Sequence, residues 1–360
     1  MFYMPSRLYT GIDCLKKNAK ALEGLGKKAL LVTGKSSALK NGSQKDVVEV
    51  LESLNKTFEV FNQIEENPSI ETVMKARDFG LLEGCDFVIG IGGGSPMDAA
   101  KAIALMMKHK EAGWEYLYDS KAASDTLPIV CIPTTCGTGS EATAVSVLTR
   151  TDLLTKKSSV HKLFPTMSFI DGKYLKSAPK SILNNTAMDA LAHMYEGVLH
   201  NKATDYTWLC AKTGLELWKK NKDFLLGKRE GEDADYQRLM DASTMAGMTI
   251  AQTGTTIPHS LSYPVTIRLG IPHGKAVSYF QAAYLKEAKK EDRDRLLLAS
   301  GFTDPDQMHE FFLTLCQPEK ISEEVLEIAV SEVKANEKKL AAVPFAVDES
   351  VIRRIAGFMN

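Results

Sequence analysis

Residues 86–108 read DFVIGIGGGSPMDAAKAIALMMK, and this stretch decides the fold. Asp86 to Ile91 is a short apolar run, which predicts a buried strand. It leads straight into Gly92-Gly93-Gly94-Ser95-Pro96, and PMDAAKAIALMMK predicts a helix over 96–108 with Pro96 at its first position. Strand, glycine turn and helix in this order are the unit from which a parallel α/β sheet is wound. Three glycines let the backbone come close to a phosphate. Ser95 can cap and donate, and the helix N-terminus adds its positive end. The run is neither G-x-G-x-x-G nor a Walker A loop, and a plain tight turn is the competing reading.

The pattern recurs on both sides. KALLV at 28–32 runs into Thr33-Gly34-Lys35-Ser36-Ser37, a strand, a glycine turn and a helix start. Lys45 to Leu54 predicts an amphipathic helix and Thr57 to Phe61 a strand. After the turn Glu65-Glu66-Asn67-Pro68, Ser69 is the expected N-cap of a helix reaching about Phe79. Leu127 to Ile132 predicts a further strand ending in PTTCGTGSE at 133–141. Hydroxyls and glycines at a strand's carboxyl end are where a doubly wound sheet holds its ligand. Val145 to Arg150 and Ser168 to Asp171 are expected as edge strands around a charged hairpin carrying Lys156 and Lys157. Beyond Pro179 the strand signals fade. Helical patterns take over at 181–200, 204–220, 234–252, 275–289, 306–316 and 321–338, with a last short one from Asp348. The expectation is an α/β nucleotide-binding domain at 1–179, with a Rossmann-like, mostly parallel sheet, then an all-helical domain at 180–360.

Composition excludes several classes. With 44% hydrophobic and 25% charged residues the chain is neither disordered nor fibrous, and 360 residues suffice for two cores. A net charge of −1 gives no footprint for nucleic acid or an acidic membrane. The opening MFYMPSRLYTG has no basic segment followed by an apolar run, and no stretch is long enough to span a bilayer. Six cysteines without C-x-x-C spacing argue against a disulfide framework or zinc ribbon and for reduced thiols in the cytoplasm.

The helical half carries the chemistry. In NNTAMDALAHMYEGVLH (184–200), Asp189 and His193 stand four apart and share a helix face whose neighbours are apolar. Burying a carboxylate beside an imidazole is costly unless something compensates. A divalent cation would, and IPHSLSYPVTIRLGIPHGKA supplies His259 and His273 at expected breaks in the helical pattern. One aspartate and three imidazoles suit Fe²⁺ or Zn²⁺. The plain alternative is an ordinary i,i+4 pair supporting a helix. His109, His161, His200 and His309 are expected at the surface or at helix ends. Met106, Met107, Met245 and Met248 are expected as core filler, and Lys286 to Arg295 as a solvated helix face.

GGGSPMDAAKAIA (92–104), IPTTCGTGSEAT (132–143), DALAHMYEG (189–197) and HSLSYPVTIRLGIPHG (259–274), in this order, resemble the iron-containing (group III) alcohol dehydrogenases. The resemblance covers essentially the whole chain. It implies a dehydroquinate-synthase-like architecture and NAD(P)-dependent interconversion of alcohols and aldehydes or ketones, with the active site between the two domains and a homodimer or larger homo-oligomer. It further implies that Asp189, His193, His259 and His273 ligate the metal. Gly92, Gly93, Gly94 and Ser95 would hold the pyrophosphate, with Asp98 close by, and Thr134, Thr135, Thr138 and Ser140 would line the cofactor cleft. Lys156 or Lys157 would reach the cofactor, and Asn67 would lie on its adenosine side. Two departures stand out. Gly34 occupies a position where many NAD-preferring members carry an aspartate, which favours NADP over NAD. Tyr263 stands where some members carry a histidine implicated in proton relay. A glycerol or polyol dehydrogenase is the nearest rival, and dehydroquinate-synthase-like carbocycle formation is more distant. A metal-dependent phosphohydrolase and a non-catalytic nucleotide sensor are rivals of other classes.

Overall fold

Apolar runs with little polar interruption become strands. The computed structural model describes residues 1–153 and 155–358. Its strands are β1 (Arg7–Thr10), β2 (Lys28–Thr33), β3 (Thr57–Phe61), β4 (Phe87–Gly92), β5 (Ile129–Pro133), β6 (Val147–Arg150), β7 (Thr155–Ser158) and β8 (Met167–Ile170). Six of them form one sheet in the order β1-β8-β5-β4-β2-β3, every pairing parallel, while β6 and β7 make a separate antiparallel pair. Helices of seven or more residues in the first half are α1 (Ser43–Ser53), α2 (Ile70–Leu82) and α3 (Gly94–Lys108). Those in the second half are α4 (Lys180–Val198), α5 (Asp205–Lys219), α6 (Asp233–Thr253), α7 (Ile257–Leu269), α8 (His273–Glu287) and α9 (Lys290–Ser300). They are followed by α10 (Pro305–Cys316), α11 (Glu323–Lys334) and α12 (Glu349–Ile355).

Two compact units result. The sheet unit comprises Met4–Thr135 and Gly139–Ala178. The helical unit runs from Pro179 onward and takes in Met1–Tyr3 and Cys136–Thr138. In the sheet unit the strand pleat sends alternate residues into two cores. Leu30, Val32 and Val88 join Ile70, Val73, Met97 and Ile103 of α2 and α3 on one face. Ala29, Leu31, Ile89 and Ile132 join Val47, Val50 and Leu51 of α1 on the other. The connections leaving β2 and β4 thus lie on opposite faces, although these strands are neighbours. That makes the gap beyond their carboxyl ends a topological switch point, where doubly wound sheets bind ligands. Gly34 and Gly92 to Ser95 stand at those two strand ends.

Several expectations are corrected. Met167–Ile170 is an interior strand, because the unread β1 pairs with all four of its residues and takes over the edge. Val147–Arg150 pairs only with Thr155–Ser158 among the described strands. Pro96 is the third residue of α3 rather than the first, which a first turn tolerates because its N–H groups have no intrahelical partner. The helical pattern breaks just before His259, as expected, but His259 then lies within a helix the pattern did not list, α7, which tolerates Pro264 while Ile257, Leu261 and Val265 bury one stripe of it. Lys290 to Ser300 forms a helix the pattern did not list, α9, whose charged residues stay exposed or half-buried as expected while Leu296 and Leu297 are buried. The 321–338 pattern ends its main helix at Lys334 and resumes as a short turn at Glu337–Leu340. His161 is buried, its ring nitrogens 2.9 Å from Ser124 Oγ and 2.7 Å from the Tyr116 carbonyl. All six cysteines are free and buried. No helix among the described residues is long and apolar enough to cross a membrane.

Candidate active site

The glycine loop grows out of β4. Gly92 has φ +150°, and a Cβ there would meet Pro96 Cγ at 2.6 Å, so only glycine fits. A Cβ on Gly93 would stand 3.1 Å from Thr135 Oγ1, and one on Gly90 2.8 Å from Ala100 Cβ. The backbone is therefore bare where α3 begins. Among the described residues no side chain caps that N-terminus, which leaves its first N–H groups and positive helix end for an anion. Ser95 Oγ accepts the Asn67 N–H at 3.0 Å, and the Asn67 carbonyl accepts Thr149 Oγ1 at 2.8 Å. Asn67 itself has φ +57°. Lys156 pairs with Thr149 across the β6–β7 hairpin, and Lys157 Nζ lies 5.0 Å from the Tyr118 ring. The Thr134 N–H donates to the Gly92 carbonyl at 2.8 Å. A Cβ on Gly34 would make only ordinary contact, 3.5 Å from the Ile64 carbonyl, so the position has room for a side chain.

Asp98 and Ser140 face each other. Ser140 Oγ donates to Asp98 Oδ1 at 2.5 Å, and the other Asp98 oxygen accepts the Val147 N–H at 2.9 Å. Between them lies Lys101, fully buried, whose Nζ donates to the Ser140 carbonyl at 2.8 Å, Ser140 Oγ at 2.7 Å and the Val145 carbonyl at 2.8 Å. Sequence reasoning passed over Lys101. Its signal was a charge inside the otherwise apolar AAKAIALMM.

In the helical unit, α4 is buried almost without a break from Leu183 to Val198, the outcome of apolar residues on every side. Asp189 and His193 lie one turn apart on it. Asp189 Oδ1 stands 3.9 Å from His193 Nε2, 3.6 Å from His259 Nε2 and 3.9 Å from His273 Nε2, the last from the first residue of α8. These separations are too long for hydrogen bonds. Two ligands about 2.1 Å from one tetrahedral cation stand roughly 3.4 Å apart. Asp189 Oδ1 and His259 Nε2 are both buried with no hydrogen-bond partner, which a protein rarely leaves so. The His193 and His259 rings stack at 4.4 Å, and Tyr263 stacks on His273 at 6.1 Å. Thr138, in the helical unit with Cys136 and Gly137, is separated by unit from the remaining predicted cofactor residues.

The electrostatics fit a cation. Burial alone would raise the Asp189 carboxyl, but the surrounding imidazoles hold it well below the usual carboxylate range. Burial lowers His193. Burial would lower His259 too, yet Glu196 and Asp189 outweigh it and push it up to about 9. Two buried carboxylates thus call for positive charge beside His259.

The ring orientations are set from behind. His193 Nδ1 lies 3.1 Å from the Gly137 carbonyl, which can only accept, so Nδ1 carries the proton and Nε2 offers its lone pair. His259 Nδ1 lies 2.6 Å from Glu196 Oε1. Sequence reasoning missed Glu196 and Gly137. Glu196 follows Asp189 by seven residues and His193 by three, a spacing that already puts it on their helix face. Two glycines let these pieces meet. A Cβ on Gly274 would fall 2.0 Å from the Asn185 carbonyl oxygen, and one on Gly137 2.8 Å from that of Thr186.

Fold and site together define a doubly wound α/β protein whose helical unit holds a candidate metal centre. A family model for iron-containing alcohol dehydrogenase matches residues 5–172, and one for the C-terminal part of the Fe-containing alcohol dehydrogenase family matches 184–332. The solved structure of an iron-containing alcohol dehydrogenase from Thermotoga maritima has a TM-score of 0.90 to this chain at 38% identity, covering 99% of this chain and 98% of that one. Alcohol dehydrogenase 4 of Schizosaccharomyces pombe is 29% identical over 274 residues, 76% of this chain but only 65% of that protein. NADPH-dependent butanol dehydrogenase of Clostridium saccharobutylicum is 28% identical over 301 residues, 82% of this chain and 75% of that protein. This chain belongs to the iron-containing alcohol dehydrogenase family.

Proposed function

We propose that this chain is a metal-dependent, NAD(P)-linked oxidoreductase interconverting alcohols, either primary alcohols or small diols, and the corresponding aldehydes or ketones. The carrying observation is the convergence of His193, His259 and His273 on one orphaned oxygen of Asp189. These four side chains would hold Fe²⁺ or Zn²⁺. When bound, such a cation polarises the substrate oxygen and stabilises the negative charge it gains on losing its proton. The nicotinamide supplies or accepts the hydride.

The chain's own residues do the rest. Gly92 to Ser95 and the start of α3 bind the pyrophosphate, with Asn67 anchoring Ser95 from the side. The Lys101–Ser140–Asp98 cluster fixes the loop after β5, keeping Thr134 and Thr135 beside the glycine run. Lys156 and Lys157 add positive charge near Asn67. Gly34 leaves the ribose end without a carboxylate, so a 2′-phosphate is accepted and NADPH is the preferred cofactor; the name of the Clostridium relative supports this reading. The proposal includes a cytoplasmic homo-oligomer, supported by six buried free thiols and by the family's habit.

The test is a panel of alcohols, diols and aldehydes with NADH and NADPH, run on metal-stripped protein reloaded with single metals. Loss of NADPH's near-ultraviolet absorbance on adding an aldehyde, only after Fe²⁺ or Zn²⁺ is restored, is expected. Equal turnover by the stripped protein, or phosphate-ester hydrolysis without any redox change, would overturn the proposal.

A further inference from the structure

Glu196 is fully buried and touches the metal quartet without belonging to it. Its Oε1 accepts from His259 Nδ1 at 2.6 Å and from Gln281 Nε2 at 2.8 Å. Its Oε2 accepts from the Thr256 N–H at 2.7 Å and from Thr256 Oγ1 at 3.0 Å. Each of these partners presents a donor. A buried carboxylate satisfied in this way is an acceptor on both oxygens, and His259 must then carry its proton on Nδ1. That leaves the Nε2 lone pair facing Asp189 Oδ1, 3.6 Å away.

The geometry points to Glu196 as a positioning residue of the cation site: it locks His259 in the tautomer that presents Nε2 and places a second negative charge behind that ring. The inference rests on the reading of Asp189, His193, His259 and His273 as a metal quartet. An imidazole that hydrogen-bonds a carboxylate through one nitrogen is a stronger, better-aimed ligand through the other. The two oxygens have separable jobs. Oε1 serves His259, whereas Oε2 receives the N–H of Thr256, the residue immediately before α7.

The isostere Glu196→Gln tests this, because an amide cannot accept on both sides. If its NH₂ faces Thr256, it meets a backbone N–H that cannot reverse. If it faces Gln281 and His259, Gln281 can turn its own unpartnered Oε1 toward it. His259 must then accept at Nδ1 and carry its proton on Nε2, pointed at the cation.

Metal-stripped parent, Glu196→Gln and Thr256→Ala would be titrated with Co²⁺ against a chromophoric chelator, recording the visible absorption of the bound ion. Glu196→Gln is expected to weaken binding about 10–100-fold and to alter the Co²⁺ spectrum. Thr256→Ala is expected to lower the melting temperature while keeping the parent's spectrum and affinity. A parent that takes up no Co²⁺ would overturn the quartet itself. A parent that binds, with Glu196→Gln matching it in affinity and spectrum, would overturn the role of Glu196 alone. So would a Thr256→Ala variant that loses as much affinity as Glu196→Gln, since general loosening would then explain both. Should Glu196→Gln fail to fold, the Zn²⁺-loaded parent labelled with ¹⁵N-histidine decides. A strongly downfield Nδ1–H on His259 supports the inference, and protonation at Nε2 refutes it.

Discussion

Replacing Gly274 by alanine tests whether the start of α8 is clamped on α4. The new Cβ would lie 2.0 Å from the Asn185 carbonyl oxygen and 2.9 Å from Asp189 Cβ. A carbon and a carbonyl oxygen rest no closer than roughly 3.3 Å, so about 1.3 Å of movement is needed. Both contacts are to α4, one with its backbone, so α8 must lift. The residue lifted with it is His273. Overpacking of this kind costs roughly 1–3 kcal/mol, and more when backbone opposes backbone. At about 2–4 °C per kcal/mol, the melting temperature should fall by roughly 2–12 °C. Metal bonds tolerate errors of about 0.2 Å, so His273 should drop out as a ligand and affinity should fall at least tenfold. Metal content after dialysis against a chelator buffer and a thermal melt of the stripped protein measure the two effects. Gly270→Ala is the control. Gly270 has φ +66° with nothing within 4 Å of its added Cβ, so about 1–2 kcal/mol should be lost without loss of metal. A Gly274→Ala protein that melts and binds metal like the parent would refute the reasoning.

Asp189→Ala should abolish metal uptake and turnover. The stripped variant should melt no lower than the stripped parent, because a buried carboxylate lacking a hydrogen-bond partner on Oδ1 has been removed. Gly34→Asp should shift the ratio of kcat/KM for NADPH over NADH toward NADH at least about tenfold, or about 1.4 kcal/mol, read from initial rates. Asp235, paired bidentately with Arg229 at 2.6 Å and also with Arg238, is held down to about 2 from 3.8. A depressed carboxyl contributes stability that is present above its unfolded value and lost as pH falls through its folded value. Asp235→Asn should therefore cost roughly 2 kcal/mol at neutral pH. In denaturant melts at graded pH, its deficit should close between about pH 4 and pH 2.

The sheet was readable where burial on both faces leaves an unbroken apolar run, as in β2 and β4. It was unreadable in RLYT at 7–10, a half-exposed edge whose strand identity comes from its partner, and that omission misplaced Met167–Ile170. The candidate ligands Asp189, His193, His259 and His273, which the fold gathers around Asp189 Oδ1, were legible because rare residue types recur at meaningful spacing in an apolar setting. The hydrogen bonds that orient them were not. Gly137 acts through a carbonyl, which every residue possesses, and its nearness to His193 is a product of folding alone. Glu196 was visible as a position on the helix but not as a partner of His259, 63 residues away. Lys101 was passed over because the partners of its donors, Ser140 and Val145, lie 39 and 44 residues further along the chain.

Three residues, Cys136 to Thr138, leave the company of the strands on either side of them and are counted with the helices. A gene fragment beginning at Pro179 would therefore encode an incomplete bundle, because His193 would lose the carbonyl that fixes its proton. Cutting this chain at its apparent seam yields two pieces, neither of them whole. Shuffling halves among relatives is expected to succeed only when that tripeptide travels with the second half.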